Sequence, residues 1–261
     1  MRGLHVAAAA ALLLATAAPP AADYRPVAGG TLVSVLPPDG KSAAAQVAPF
    51  RLRATPVTNA EFLAFASRHA QWRKDSVVPL FADREYLSHW AGPATLGPAA
   101  GTDQPATRVS WFAARAYCES EDARLPTWHE WEFAAAADET RTDARGDPRW
   151  RERILGWYAV PSGSAIADVG GTAPNVWGVH DLHGLIWEWI DDHGALMVAG
   201  DNREQGDPDL FAFCGAGAAS LKDRENYAVL MRIAMLSSLR AADTTRRLGF
   251  RCAKDGLGET R

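Results

Sequence analysis

From residue 156 to residue 192 the chain is rich in Gly and Trp and shows short turns but no sustained helical or strand period. Such a stretch cannot form a regular layer by itself. A fold that contains it must be loop-rich, with few long elements. Helices are expected elsewhere, where local caps announce them. Thr58-Asn59-Ala60-Glu61 reads as an N-cap with its capping-box glutamate, followed by Phe62, Phe65 and Ala66 at helical spacing. Ser110 opens a second helix, with Trp111, Ala114, Tyr117 and Cys118 on one face. Thr127 to Glu130 is another capping box, with Trp128, Trp131 and Glu132 in the first turns.

Strand signals are short: Thr31-Leu32-Val33 after a Gly-Gly turn, and Phe50 to Arg53. Pro37-Pro38-Asp39-Gly40 marks a turn. Residues 91–108 read as a long loop and 138–153 as an exposed polar excursion. After 210, short apolar runs alternate with turns, and 254–261 reads as a frayed tail. The expected picture is an α+β fold, two or three helices on an irregular, short-stranded body. No internal repeat is visible, and no Pro/Gly linker separates two cores, so residues 23–261 are expected to form one domain.

Residues 1–22 pair an early Arg2 with an apolar run from Val6 to Ala18, and Ala15-Thr16-Ala17 fits a small-x-small cleavage site. The run is too short to span a bilayer comfortably, which takes about 20 apolar residues. It reads as a signal peptide, with a retained anchor as the alternative. The mature chain is then expected to be exported, periplasmic or secreted, where disulfides persist. No other stretch approaches 18 apolar residues, so no membrane role is expected beyond this leader. Lys+Arg is 27 and Asp+Glu 31, giving −4, with no basic run to serve as an electrostatic footprint for nucleic acid. There is no P-loop, dinucleotide fingerprint, HExxH or CxxC.

Four segments in order resemble the formylglycine-generating enzyme (sulfatase-modifying factor) family. They are Pro56-Val57-Thr58-Asn59-Ala60-Glu61-Phe62; the run from Arg108-Val109-Ser110-Trp111 through Arg124-Leu125-Pro126-Thr127 to Glu130-Trp131-Glu132-Phe133; Asn175 to Trp189, ending Trp187-Glu188-Trp189; and Leu248-Gly249-Phe250-Arg251-Cys252. The resemblance covers about residues 27–253. It implies an irregular fold related to C-type lectin domains, with little regular secondary structure. The family's enzymes oxidise a substrate cysteine to formylglycine with O2, using a pair of C-terminal cysteines that bind Cu(I), a soft cation suited to thiolates. Here that stretch runs from Gly215 to Arg232 without a cysteine. Aligned back from Cys252, the second cysteine falls near Ala228 and the first near Lys222 or Asp223, while Arg232 matches the closing arginine. Copper is not expected at that position, nor formylglycine synthesis by the usual route. The Cys-Gly-Ala-Gly-Ala string from Cys214 and the Met-Arg-x-Ala-x-x-Ser-Ser-Leu string from Met231 are similar to those of an exported branch. Some members of that branch are associated with copper nitrite reductase as accessory proteins.

The resemblance pairs Cys118 with Cys252 in a disulfide; two buried free thiols are the alternative. Cys214 is left over, either a reactive or copper-binding thiol or a small buried hydrophobe. Cys214 and Arg232 are the candidate catalytic residues. The resemblance also implies Ca2+ at Glu188, with backbone oxygens of His183, Gly184 and Ile186, although Leu185 stands where the family has Asn. The alternative is a Glu188 satisfied by backbone N–H groups or an arginine. His180, Asp181, His183, Asp191, Asp192 and His193 crowd the same turn, but their spacing matches no specific zinc or iron motif. Three functions follow. The first is an exported accessory or maturation factor acting on an exported protein partner, such as a copper-dependent enzyme. The second is an oxidoreductase or protein-modifying enzyme built around Cys214. The third is a lectin-like binding module that uses Trp residues and Ca2+.

Overall fold

A computed structural model describes residues 22–34, 44–161, 163–196 and 227–257. The leader up to residue 21, the turn at 37–40 and Cys214 lie outside the described residues. In chain order the elements are β1 (Tyr24–Val27), β2 (Gly30–Val33), β3 (Ala44–Val47), β4 (Phe50–Arg53), α1 (Asn59–Arg68), a 3-10 turn (Ala70–Trp72), α2 (Trp111–Ser120), α3 (Trp128–Ala135), α4 (Pro148–Tyr158), β5 (Trp187–Glu188), α5 (His193–Leu196), α6 (Tyr227–Ser237), β6 (Leu248–Gly249) and β7 (Ala253–Asp255). No helix among the described residues is long and apolar enough to cross a membrane.

The fold is α+β, and its sheets are small. β4 is the middle strand of an antiparallel sheet ordered β1-β4-β7, with Tyr24 opposite Arg53 and Phe50 opposite Asp255. Being central, β4 buries Phe50, Leu52 and Arg53 rather than alternating cleanly. β2 and β3 form a separate antiparallel pair, and β5 lies parallel to β6.

Both capping boxes form. Thr58 accepts from the Glu61 N–H, and the Glu61 carboxylate accepts from the Thr58 N–H at 2.8 Å; Thr127 and Glu130 do the same for α3. Ser110 caps α2. α1 then buries Phe62 and Phe65, which meet Tyr117 of α2 and, through Phe62 and Tyr117, Phe250 in tilted, stacked and edge-on contacts. Trp111, expected on the buried face of α2, is half-buried; Ala113 takes its place in the core. Arg53 ties β4 to both helices by pairing with Glu61 and Glu121 and donating to the Tyr117 hydroxyl at 3.1 Å. Cys118 and Cys252 are disulfide-bonded, with Cα atoms 5.5 Å apart, so the free-thiol alternative fails. The bond staples α2 to the residue before β7.

Three local readings are corrected. The polar excursion ends at α4, whose start Asp147-Pro148 is an N-cap followed by proline at the first helical position. Asp138, at the head of that excursion, is buried, and Arg141 holds its carboxyl well below the usual range. The stretch after 210 includes the eleven-residue α6, and the tail begins with β7, which pairs with the central strand.

Candidate functional site

The Trp187-Glu188-Trp189 turn lies at the centre of the molecule. Parallel pairing of β5 with β6 brings Glu188 opposite Gly249, and Arg251 follows two residues later. Glu188 and Arg251 are each fully buried. The Arg251 guanidinium meets the Glu188 carboxylate in a two-pronged pair, Nε to Oε2 and Nη2 to Oε1, both at 2.8 Å. Its other N–H groups reach the carbonyls of His180 at 2.9 Å, Arg53 at 3.2 Å and Ala54 at 3.3 Å. All five donors of the fork are used. Trp131 of α3 donates its indole N–H to Glu188 Oε2 at 2.9 Å. Arg232 of α6 donates to the Glu188 carbonyl at 2.6 Å, and its guanidinium carbon lies over the Trp131 ring, 3.5 Å from the centroid.

This geometry selects the arginine alternative for Glu188. The side chain that the resemblance assigned to Ca2+ has both oxygens committed to Arg251 and Trp131. An ion on that carboxylate would have to displace the guanidinium. Among the described residues, no group of three His, Cys, Asp or Glu side chains is placed to hold a metal ion.

Several other members of the turn are engaged by backbone or by aromatic rings. The Asp181 carboxylate accepts from the backbone N–H groups of Gly170 and Thr172. His180 Nδ1 lies 2.8 Å from the Thr172 carbonyl. Asp192 accepts from the N–H of Trp128 at the start of α3, and His193 packs between Trp111 and Trp189. His183 is buried, with Nε2 2.8 Å from the Ala135 carbonyl. Ala228, aligned with the second copper cysteine, lies in the first turn of α6, one turn before Arg232. Arg232 is itself buried, and it lines a hollow of about 230 Å3 with Trp157, Gly184, Ile186, Trp187 and Arg247.

Gly184 sets the shape of this hollow. Its φ is +89°, a left-handed value, and a Cβ there would lie 2.7 Å from two Trp157 side-chain atoms. Gly184→Ala is expected to destabilise the fold by about 2 to 4 kcal/mol, from the backbone penalty plus overpacking. It should also shift the indole resonance of Trp157 in an NMR spectrum. A loss below about 0.5 kcal/mol in urea unfolding would show that the indole yields freely.

Of the residues at the centre, Trp131 and Arg251 stood in the recognised motifs but had no assigned role. The signal for Trp131 was its place on a capped helix beside a second Trp. Arg251 had none, because its partner is 63 residues away.

The sulfatase-modifying factor enzyme 1-like domain matches residues 15–256 of the chain. The formylglycine-generating enzyme of Streptomyces coelicolor is 29% identical over 266 residues, covering 84% of this chain and 83% of that protein. The mouse inactive C-alpha-formylglycine-generating enzyme 2 is 31% identical over 188 residues, 58% of this chain and 61% of the relative. A hercynine oxygenase of Mycolicibacterium thermoresistibile is 30% identical over 169 residues, 55% of this chain and 35% of the relative. With the match spanning the whole described fold, the chain belongs to the sulfatase-modifying factor enzyme 1-like domain family.

Proposed function

We propose that this chain is an exported accessory or maturation factor that acts on an exported protein partner, with copper-dependent enzymes as the favoured class, and that it does not make formylglycine. One observation carries this reading. The sequence has three cysteines, and two of them are consumed in the Cys118–Cys252 bond. At most one thiol, Cys214, is left, and a copper centre of two cysteine thiolates needs two. The chain nevertheless belongs to the same domain family, and its described fold holds a buried Arg232 and the Glu188–Arg251 centre. A preserved scaffold without its reactive pair suits binding rather than oxidation. The existence of relatives named as inactive supports the same view. The reading takes residues 1–22 as an export signal, which would put the activity outside the cytoplasm, and takes the irregular body as C-type-lectin-like.

The test has two arms. A cysteine-containing sulfatase peptide incubated with the protein, Cu(I) and O2 should yield no formylglycine by mass spectrometry. A copper nitrite reductase co-exported with the chain should carry several-fold more copper per protomer than one exported without it. Formylglycine above the Cys214→Ser background, or equal copper content in both preparations, would overturn the reading.

A further inference from the structure

A second cleft, of about 280 Å3, shares Trp157 with the hollow described above and is lined also by Asp138, Glu139, Trp150, Arg153 and His183. α4 supplies one wall. Trp150 and Trp157 are seven residues apart, two helical turns, and so lie on one face. His183 faces them: its ring lies edge-on to Trp150 at 5.6 Å between centroids and near-parallel to Trp157 at 6.0 Å.

His183 is 9% exposed. Its Nε2 sits on the Ala135 carbonyl, which can only accept, so Nε2 carries the proton. Nδ1 is then a bare lone pair, and it has no hydrogen-bond partner. A buried acceptor without a donor is costly and uncommon, and it calls for an N–H or O–H.

The charges around it select the kind of donor. Among the described residues lining the cleft, Asp138, Glu139 and Asp181 are carboxylates and Arg153 is the one cation; Asp138 is already held by Arg141 and Asp181 by backbone N–H groups, which leaves Glu139 as the counter-charge, while the Arg232 and Arg251 charges that also bear on His183 are engaged by Glu188. A carboxylate or phosphate ligand would meet acids and a neutral acceptor. A cation would meet indole faces and counter-charge. Arg153 already illustrates the preference. Its guanidinium pairs with Glu139 at 2.7 Å and lies 5.9 Å from the Trp157 ring, and the Arg153 and Glu139 side chains are 41% and 42% exposed. The outer end of the cleft thus holds a guanidinium from the chain itself, while the buried acceptor behind it remains unmet.

We propose that this cleft binds an organic cation bearing N–H groups, a guanidinium or primary ammonium, between Trp150 and Trp157. One N–H goes to His183 Nδ1, Glu139 serves as counter-ion, and Arg153 moves aside. The head group belongs either to a free amine or to an Arg or Lys side chain of a partner protein.

The probes are n-butylguanidinium, n-butylammonium, n-butyrate and n-butanol, which share a tail, titrated calorimetrically into the full chain. Both cations should bind at least about tenfold more tightly than butanol or butyrate. Glu139→Gln should weaken cation binding about tenfold, and Arg153→Gln should tighten it about threefold, because a competing cation is removed. Both positions are half-exposed, so neither variant threatens folding. Trp157→Leu should also weaken binding, and the 15N resonance of His183 Nδ1 should move on saturation. The source is set by acetyl-Gly-Arg-Gly-amide: tighter binding than butylguanidinium marks a protein side chain, and exclusion of the peptide marks a small free amine. Binding of butanol or butyrate equal to that of the cations, a stationary Nδ1 resonance, or indifference to Glu139→Gln would overturn the proposal.

Discussion

Glu188→Gln is expected to destabilise the protein by about 3–5 kcal/mol, because it leaves Arg251 charged, fully buried and without its counter-ion. That is a large part of the total stability of an ordinary domain, about 5–15 kcal/mol. The loss should appear as a lower urea midpoint in tryptophan fluorescence. The double replacement Glu188→Leu with Arg251→Met separates two costs. It removes the stranded charge, and it should be no worse than the single variant. It should not recover the parent's stability, because the carbonyls of His180, Arg53 and Ala54 lose the donors that Arg251 gave them. A single variant within about 1 kcal/mol of the parent would mean that the pair contributes little and that Trp131 alone suffices for Glu188.

Reduction of the Cys118–Cys252 bond, or its removal by Cys118→Ala with Cys252→Ala, is expected to cost about 5 kcal/mol. This follows from the loop-closure entropy of a bond spanning 134 residues. For a domain of this size, a loss of 1 kcal/mol lowers Tm by about 2–4 °C, so the predicted fall is about 10–20 °C. Calorimetry with and without a thiol reductant measures it directly. An unchanged Tm after confirmed reduction would show that α2 and the segment before β7 are held as firmly by packing. That packing is extensive: both half-cystines are buried beside Tyr117, Leu125 and Phe250.

The helix starts were legible because a cap is a local event. Thr58, Ser110 and Thr127 each act on backbone within three residues of themselves. α4 was equally announced by Asp147-Pro148, but its Arg- and Glu-rich turns read as solvent-exposed loop. What they cover is a pair of indoles seven residues apart, and the partner of those indoles, His183, lies in a segment with no periodicity. The acid at position 188 was recognised as held by something. Its holder was not legible, because the contact depends on a two-residue parallel pairing between β5 and β6 that no local pattern encodes. The same limit explains the crowd of His and Asp around the turn. In sequence they form a cluster; in space Asp181 and His180 hold the backbone at 170–172, and Asp192 holds the start of α3. The cysteine pairing followed from the family likeness, and the absence of a second copper thiolate followed from counting.

Arg251 bonds to chain laid down 198, 71 and 63 residues earlier. During synthesis those carbonyls and the Glu188 carboxylate therefore emerge long before the group that completes them. Capped helices can form as they appear, but the centre cannot close until the residues around 251 arrive. Such long-range closure slows folding. A ribosome-bound fragment ending before Leu248 would keep an unneutralised acid among apolar side chains and stay loose, so the centre closes in one step, once the segment around Arg251 is present.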